Sequence, residues 1–181
     1  MEIKSPAAEY LKNVTKNKSS ELVSGDLDEA LNNEYTNIRE LAKSKKLIIQ
    51  PIKALCVGFN SQQRDLSCAR TAKLCSLLIH ADKKKLSTVG YMIGVKHNEY
   101  VDMGISYCKP DDFPIFNRKA GMCAAFETLG CGYKHYTLKS AQYSNDRSRM
   151  YVFLETIPEQ ILKFVKRCNS YFFKEQNKCN S

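Results

Sequence analysis

The stretch TVGYMIGV, residues 88–95, followed by YVDMGISY, residues 100–107, decides the fold. In the first run Val89, Tyr91, Ile93 and Val95 alternate with Thr88, Gly90, Met92 and Gly94, and in the second Val101, Met103, Ile105 and Tyr107 alternate with Tyr100, Asp102, Gly104 and Ser106. This period of two is typical of a β-strand that turns one face to a core. Only the polar residues KHNE connect the two runs, so we expect the strands to pair antiparallel as a hairpin. The sequence therefore predicts an antiparallel sheet built around an 88–107 hairpin.

Three glycines lie on the hairpin faces opposite the apolar residues. They are Gly90, Gly94 and Gly104. A strand face without side chains allows a ligand or another backbone to approach closely. Two alternatives follow: an open side that admits a ligand, or a helix that packs closely over the glycines.

The sequence on either side of the hairpin predicts further strands and helices. These are strand segments on both sides of Pro51, helices at 62–80 and 116–129, a strand at 150–154, and a last helix opened by the capping box Thr156-x-x-Glu159. The buried face of the 62–80 helix is predicted to comprise Leu66, Ala69, Ala72, Cys75 and Ile79. The fold class is therefore α+β, with helices flanking the sheet.

The first 46 residues are predicted to form a helical appendage, and residues 47–181 a basic α+β domain. A first helix begins at Ser5-Pro6, and a second carries an apolar stripe along residues 27–42 at i, i+3 and i+4 spacing. Such a stripe must be buried against something. The main domain is one candidate, and a protein partner that docks on this helix is the other.

The charge of the chain indicates an anionic ligand. The net charge is +9, and it resides entirely in the second part: residues 1–46 carry eight basic and eight acidic side chains, whereas residues 47–181 carry twenty and eleven. A surface of this sign attracts nucleic acid, a nucleotide or an acidic partner. No apolar run approaches the ~20 residues of a membrane span, and the N-terminus lacks a secretion signal. We therefore expect a cytoplasmic protein that does not insert into membranes.

Neither the cysteines and histidines nor any catalytic motif indicates an enzyme. Eight cysteines form no C-x-x-C pair, and three histidines form no H-x-x-x-H spacing, so no metal and no cofactor are expected. Most cysteines fall in apolar stretches, which predicts small buried hydrophobic side chains. The sequence contains no hydrolase elbow, kinase signature or dinucleotide fingerprint.

The segment FNRKAG, residues 116–121, is the first candidate binding site. It places Arg118 and Lys119 in the first turn of a helix, where the helix dipole already disfavours cations. A bound phosphate would remove that conflict by accepting backbone N–H bonds and two charged hydrogen bonds. Alternatively, Asp111 and Asp112 neutralise the two cations in surface ion pairs.

This segment belongs to a longer stretch, GISYCKPDDFPIFNRKAGMCAAFETL at residues 104–129, that resembles a strand–loop–helix block of small phage-encoded accessory proteins. It is also loosely similar to Thoeris anti-defence proteins, sponges that sequester a nucleotide immune signal without cleaving it. The Asp-Phe-Pro at 112–114 departs from the usual spacing. The resemblance implies that Asn117, Arg118, Lys119 and Gly121 contact a ligand or shape the loop.

A second basic segment, rich in tyrosine, is the other candidate for ligand binding. Its proposed contacts are Lys134, Tyr136, Tyr143, Arg147 and Arg149. Tyrosines interleaved with cations provide stacking platforms beside phosphate contacts, as single-stranded nucleic acid requires. A solvated loop with half-buried tyrosines is the structural alternative.

These features together predict non-enzymatic binding of a phosphate-bearing ligand, with nucleic acid as the first hypothesis. The alternatives are a counter-defence sponge for a cyclic or ADP-ribose-type nucleotide, and a protein-interaction module that uses the 27–42 helix. Nucleic-acid binding predicts a continuous positive face, whereas a sponge predicts a discrete pocket near Arg118. The sequence sets no oligomeric state.

Overall fold

The computed structural model describes residues 25–65, 67–79, 86–131 and 141–174. Within these ranges the elements, in chain order, are α1 (Gly25–Lys43), β1 (Leu47–Gly58), α2 (Ser61–Asp65), α3 (Ser67–Ile79), β2 (Ser87–Lys96), β3 (Val101–Tyr107), a 3₁₀ turn (Phe113–Ile115), α4 (Arg118–Glu127), β4 (Ala141–Tyr143), β5 (Arg149–Val152) and α5 (Ile157–Phe172). The first predicted helix, from Ser5-Pro6, lies outside the described residues.

The five described strands form one curled antiparallel sheet in the order β3-β2-β1-β5-β4. The predicted hairpin is β2–β3, with Ile93 paired to Gly104. Thr156 and Glu159 make the predicted capping box at the start of α5. The predicted α+β class, a sheet flanked by helices, is confirmed.

The expectation that each hairpin strand shows only one face to the core is wrong. Met92 and Ile93, adjacent on β2 and pointing to opposite faces, are both fully buried. Met92 packs in a cluster with α5, and Ile93 packs in a second cluster with α1 and α4. Helices cover both faces of β2, so both sets of alternating residues are inside the protein.

Helices rather than a ligand approach two of the hairpin glycines. A Cβ added at Gly94 would lie 2.6 Å from Sγ of Cys168 on α5. A Cβ added at Gly104 would lie 1.9 Å from the backbone oxygen of Ala125 on α4. The glycines therefore permit close helix-to-sheet packing, the second of the two alternatives.

The helix predicted at 27–42 is α1, and its apolar stripe packs on the domain. Leu31 and Ile38 are buried, at 2% and 0% exposure, and they share a core cluster with Tyr91, Ile93 and Cys123. The stripe is thus covered within the chain itself. The predicted boundary between the appendage (1–46) and the domain (47–181) therefore separates residues of one shared core cluster. Independent folding of residues 47–181 stays a prediction.

The helix predicted at 62–80 corresponds to α2 and α3, and of its predicted buried face Ala69 is half-buried while two other residues are not buried. Ala72 and Cys75 are exposed, whereas Leu74 and Leu77 pack against the cluster that contains Leu55. Leu66 and the side chain of Ile79 are outside the described residues. The segment carries apolar residues on more than one side, so its position over the sheet decides which of them are buried.

Strand β1 positions the candidate site, because its odd-numbered residues share one face of the sheet. At one end of this face, Leu47 packs in the cluster with α1 and α4. At the other end, Leu55 packs in the cluster with α3. Pro51 and Lys53 lie between these two helix-covered zones and line a pocket.

Candidate functional site

The pocket between the helix-covered zones is a cavity of about 620 Å³, in the size range of small-molecule sites. Three cations from three elements line it: Arg39 of α1, Lys53 of β1 and Arg118 of α4. Its aromatic and hydroxyl lining comprises Tyr91, Phe113, Phe116, Ser87 and Thr88. Among the described residues that line the pocket, none is acidic. We call this cavity the Arg118 pocket.

A β-bulge on β2 places Thr88 opposite Lys53. Ile52 pairs with Gly90 and Lys53 pairs with Thr88, so Val89 is the extra residue on β2. The Lys53 ammonium donates a hydrogen bond to Oγ1 of Thr88 at 2.6 Å. The Lys53 backbone is held by the Gln160 side chain, which accepts from its N–H and donates to its carbonyl, both at 3.3 Å. Lys53 is therefore a fixed positive charge in the pocket wall.

Arg118 lies beside the hydroxyl of Tyr91 and hydrogen-bonds to it. Burial raises the pKa of the Tyr91 hydroxyl, and the positive charge and hydrogen bond of Arg118 partly offset that rise. The ring of Phe116 stacks on Tyr91, with centroids 6.4 Å apart. The cation thus lies next to a flat aromatic surface, which is an arrangement that a nucleotide or another aromatic phosphate can use.

Of the four residues proposed at 117–121, the structure brings only Arg118 into this pocket. Asn117 is the helix cap: its Oδ1 accepts the N–H groups of Lys119 at 2.9 Å and Ala120 at 3.4 Å. These amides are therefore already used by the chain itself and not offered to a phosphate. Asn117 and Gly121 line a separate hollow of about 210 Å³ that shares Phe116 with the Arg118 pocket.

Lys119 points away from the pocket, towards α1. Its Nζ donates to Oδ1 of Asn32 at 2.5 Å and stands 5.8 Å from the centre of the Tyr35 ring. The two cations that look equivalent in sequence therefore have different environments. Lys119 joins α4 to α1, and Arg118 faces the pocket.

The acidic residues upstream do not neutralise these cations. Oδ1 of Asp111 accepts a hydrogen bond from the backbone N–H of Asn145 at 2.8 Å. In the described part of the chain, the ion pairs within 4.0 Å are Lys163–Glu155 and His97–Asp102. Neither Asp111 nor Asp112 pairs with Arg118, so the pocket keeps its positive charge.

The second candidate segment is described only in part, since Lys134 and Tyr136 lie outside the described residues. Tyr143, Arg147 and Arg149 are exposed on the β4–β5 hairpin. Arg147 lines a further basic hollow with Arg64 and Arg70.

Sequence reasoning missed four of the basic residues at these two sites: Arg39, Lys53, Arg64 and Arg70. The signal for Lys53 was a single charge inside the apolar strand IKALCVGF, where a charged side chain must find a polar environment. The other three lie on helix faces that carry polar residues. Nothing in a single sequence distinguishes them from ordinary solvated cations.

The prediction that most cysteines are buried holds for only some of them. Cys68, Cys75 and Cys131 are exposed, whereas Cys123 and Cys168 are buried. Burial raises the pKa of the Cys123 thiol to about 12 and that of Cys168 to about 11, so neither is a thiolate at neutral pH. No cluster of three or more metal-ligating side chains occurs among the residues that the structure describes.

Comparisons with known proteins give no relative: no protein-family model matches the chain, and no significant match is found among curated proteins or solved structures. Over the described ranges, no helix has the length and apolar character needed to cross a membrane.

Proposed function

We propose that this protein binds a phosphate-bearing ligand in the Arg118 pocket and does not chemically change it. The observation that carries the proposal is a concave lining with Arg39, Lys53 and Arg118 and no described acidic residue. Three cations in a lining without a described carboxylate repel one another, and a multiply charged anion relieves that repulsion.

The aromatic lining favours a nucleotide as the ligand. Tyr91 and Phe116 form a stacked pair next to Arg118, and Phe113 lines the same cavity. A nucleotide combines a flat base with a charged phosphate group, and the pocket combines flat rings with cations. A volume of about 620 Å³ has room for a small nucleotide. We therefore place a small nucleotide ahead of the extended nucleic acid that is the first hypothesis from sequence.

Retention of the ligand without turnover is part of the proposal. The described lining holds no carboxylate, histidine or thiol, and the Lys53 ammonium donates to the Thr88 hydroxyl and so does not accept its proton. This agrees with what the resemblance of residues 104–129 to nucleotide sponges implies, and that resemblance stays a prediction.

Calorimetric titration tests the proposal with ADP, ADP-ribose and a 15-nucleotide single-stranded DNA, each at low and at high salt. We expect one nucleotide site per chain, and we expect mass spectrometry to recover the nucleotide unchanged. K53Q should weaken nucleotide binding about tenfold or more, since it removes a charged hydrogen-bond donor. K166Q, which removes an exposed cation on α5, is the matched control and should bind like the native protein.

Binding of DNA alone would overturn the small-nucleotide proposal. Its signature would be a steep salt dependence with no effect of K53Q, because many distributed phosphate contacts release counterions together. Hydrolysis of the nucleotide during the titration would overturn the non-enzymatic part.

A further inference from the structure

A second basic hollow, of about 350 Å³, lies at the opposite end of β1 from α1. The described residues that line it are Ser61, Arg64, Arg70, Arg147 and Asp146. Arg64 comes from α2, Arg70 from α3, and Arg147 from the turn between β4 and β5. Three arginines from three elements thus converge around a single carboxylate.

The Arg64 side chain is partly buried without all its hydrogen bonds satisfied. Its Nε is inaccessible to solvent and has no hydrogen-bond partner in the described structure. Buried donors in proteins are normally paired, so this one calls for an acceptor that the described residues do not supply. The neighbouring Arg70 is held in place: its Nε donates to the carbonyl of Gln63 at 2.9 Å. Its guanidinium carbon stands 5.8 Å from the centre of the Phe59 ring.

Arg147 is presented by an ordered turn with an uncommon backbone conformation. Its φ of 55° lies in the left-handed region, which non-glycine residues rarely adopt. Oδ1 of Asp146 orders this turn by accepting hydrogen bonds from the Ser144 hydroxyl at 2.8 Å, the Ser148 N–H at 2.9 Å and the Ser148 hydroxyl at 2.6 Å.

Asp146 can neutralise only one of the three arginines. In the described part of the chain it makes no ion pair within 4.0 Å, and its charge offsets one of the three cations. The hollow therefore keeps a net charge of about two positive units, which matches a phosphate dianion. Guanidinium groups bind phosphate oxygens through paired N–H donors, so arginine suits this role better than lysine.

We propose that Arg64, Arg70 and Arg147 form a second anion site, separate from the Arg118 pocket, that binds a phosphate dianion, either free or at the end of a nucleic acid strand. The site does not rest on the proposed function of the Arg118 pocket, because it shares no residue with it.

Titration with inorganic phosphate tests this site in the full-length R118Q variant, in which the first pocket is weakened. We expect R118Q/R147G to bind phosphate about tenfold or more weakly than R118Q, since one charged donor is lost. Glycine accepts the positive φ of position 147, so this change leaves the turn unstrained. R118Q/R64Q should show the same loss of phosphate affinity. If R118Q/R64Q does not fold, the comparison of R118Q/R147G with R118Q tests the site.

The matched control is R118Q/R167Q, which removes an exposed arginine of α5 that does not line the hollow and should bind phosphate like R118Q. Equal phosphate affinity in all these variants overturns the site, whatever the outcome at the Arg118 pocket. A hexanucleotide with a 5′-phosphate and the same strand with a 5′-hydroxyl distinguish the sources. Tighter binding of the phosphorylated strand than of free phosphate assigns the site to strand ends. Affinity equal to that of free phosphate assigns it to the free ion.

Discussion

Nζ of Lys119 donates a hydrogen bond to Oδ1 of Asn32 at 2.5 Å, and this contact turns the lysine towards α1. The adjacent Arg118 points instead to the Tyr91 hydroxyl and the pocket. Adjacent residues on a helix project about 100° apart, so neighbours in sequence serve different surfaces. Arg118 therefore faces the pocket, and Lys119 connects α4 to α1.

This division predicts different results for R118Q and K119Q. R118Q should weaken ADP binding by about 1.5–3 kcal/mol, because it removes a charged donor from the pocket. K119Q should leave binding within about threefold of native and lower the free energy of unfolding by no more than ~1 kcal/mol, since its hydrogen bond is exposed. Calorimetry and urea unfolding of both variants measure this. Equal losses of binding would instead support a single anion site at the start of α4.

Because its apolar stripe is buried, we expect α1 to contribute to the free energy of unfolding. Ile38 is completely buried between α1 and the sheet, so I38A should lower the free energy of unfolding by about 2–4 kcal/mol. N37A, at the exposed neighbouring position, is the control and should change stability by less than ~0.5 kcal/mol. Urea unfolding followed by circular dichroism compares them. A change in I38A no larger than in N37A would show that α1 contributes little to the core.

The hairpin glycines should differ in their tolerance of a methyl group. G104A should be severely destabilising, because its Cβ would overlap the backbone oxygen of Ala125, which cannot move without shifting α4. In G94A the clash is with the Cys168 side chain, so C168A should restore part of the stability lost. Thermal unfolding of G94A, C168A and the double variant measures this coupling. Simple additivity would contradict the close packing of α5 on β2.

The free energy of unfolding should fall as the pH rises through the range in which Glu34 ionises. Burial, and then the nearby Glu127, raise the pKa of the Glu34 carboxyl above its ordinary value of 4.5, and the Cys123 thiol offsets part of this rise. The unfolded chain therefore loses this proton at a lower pH than the folded protein does. The stabilisation from neutral Glu34 is complete below about pH 4.5 and is lost as the pH rises through the raised pKa.

E34Q should remove this part of the pH dependence and be more stable than the native protein at pH 7–8. Oε2 of Glu34 is buried without a partner among the described residues, so removal of its charge relieves a desolvation cost. E29Q, at an exposed position on the same helix, is the control and should keep the native pH profile. Urea midpoints between pH 4.5 and 8 test this. Parallel profiles for E34Q and native protein would contradict it.

Elements with a local periodicity can be predicted from the amino-acid sequence alone. The alternation in 88–107 predicts the β2–β3 hairpin, and the pattern Thr156-x-x-Glu159 predicts the cap of α5. The stripe of residues 27–42 predicts the buried side of α1, including Leu31 and Ile38. Such patterns follow from the period of two in strands and 3.6 in helices, which depend only on neighbouring residues.

Long-range packing buries the second face of β2 and brings the cations of the Arg118 pocket together. The alternation places Met92 on the same side of β2 as Gly90 and Gly94, yet α5 covers it because β2 lies inside the sheet with helices on both faces. Arg118 is a candidate from sequence, whereas the other two cations of the pocket, Arg39 and Lys53, come from α1 and β1. Periodicity carries no information about strand order or about the gap between helices. The site arises from long-range packing, which brings together residues far apart in the chain.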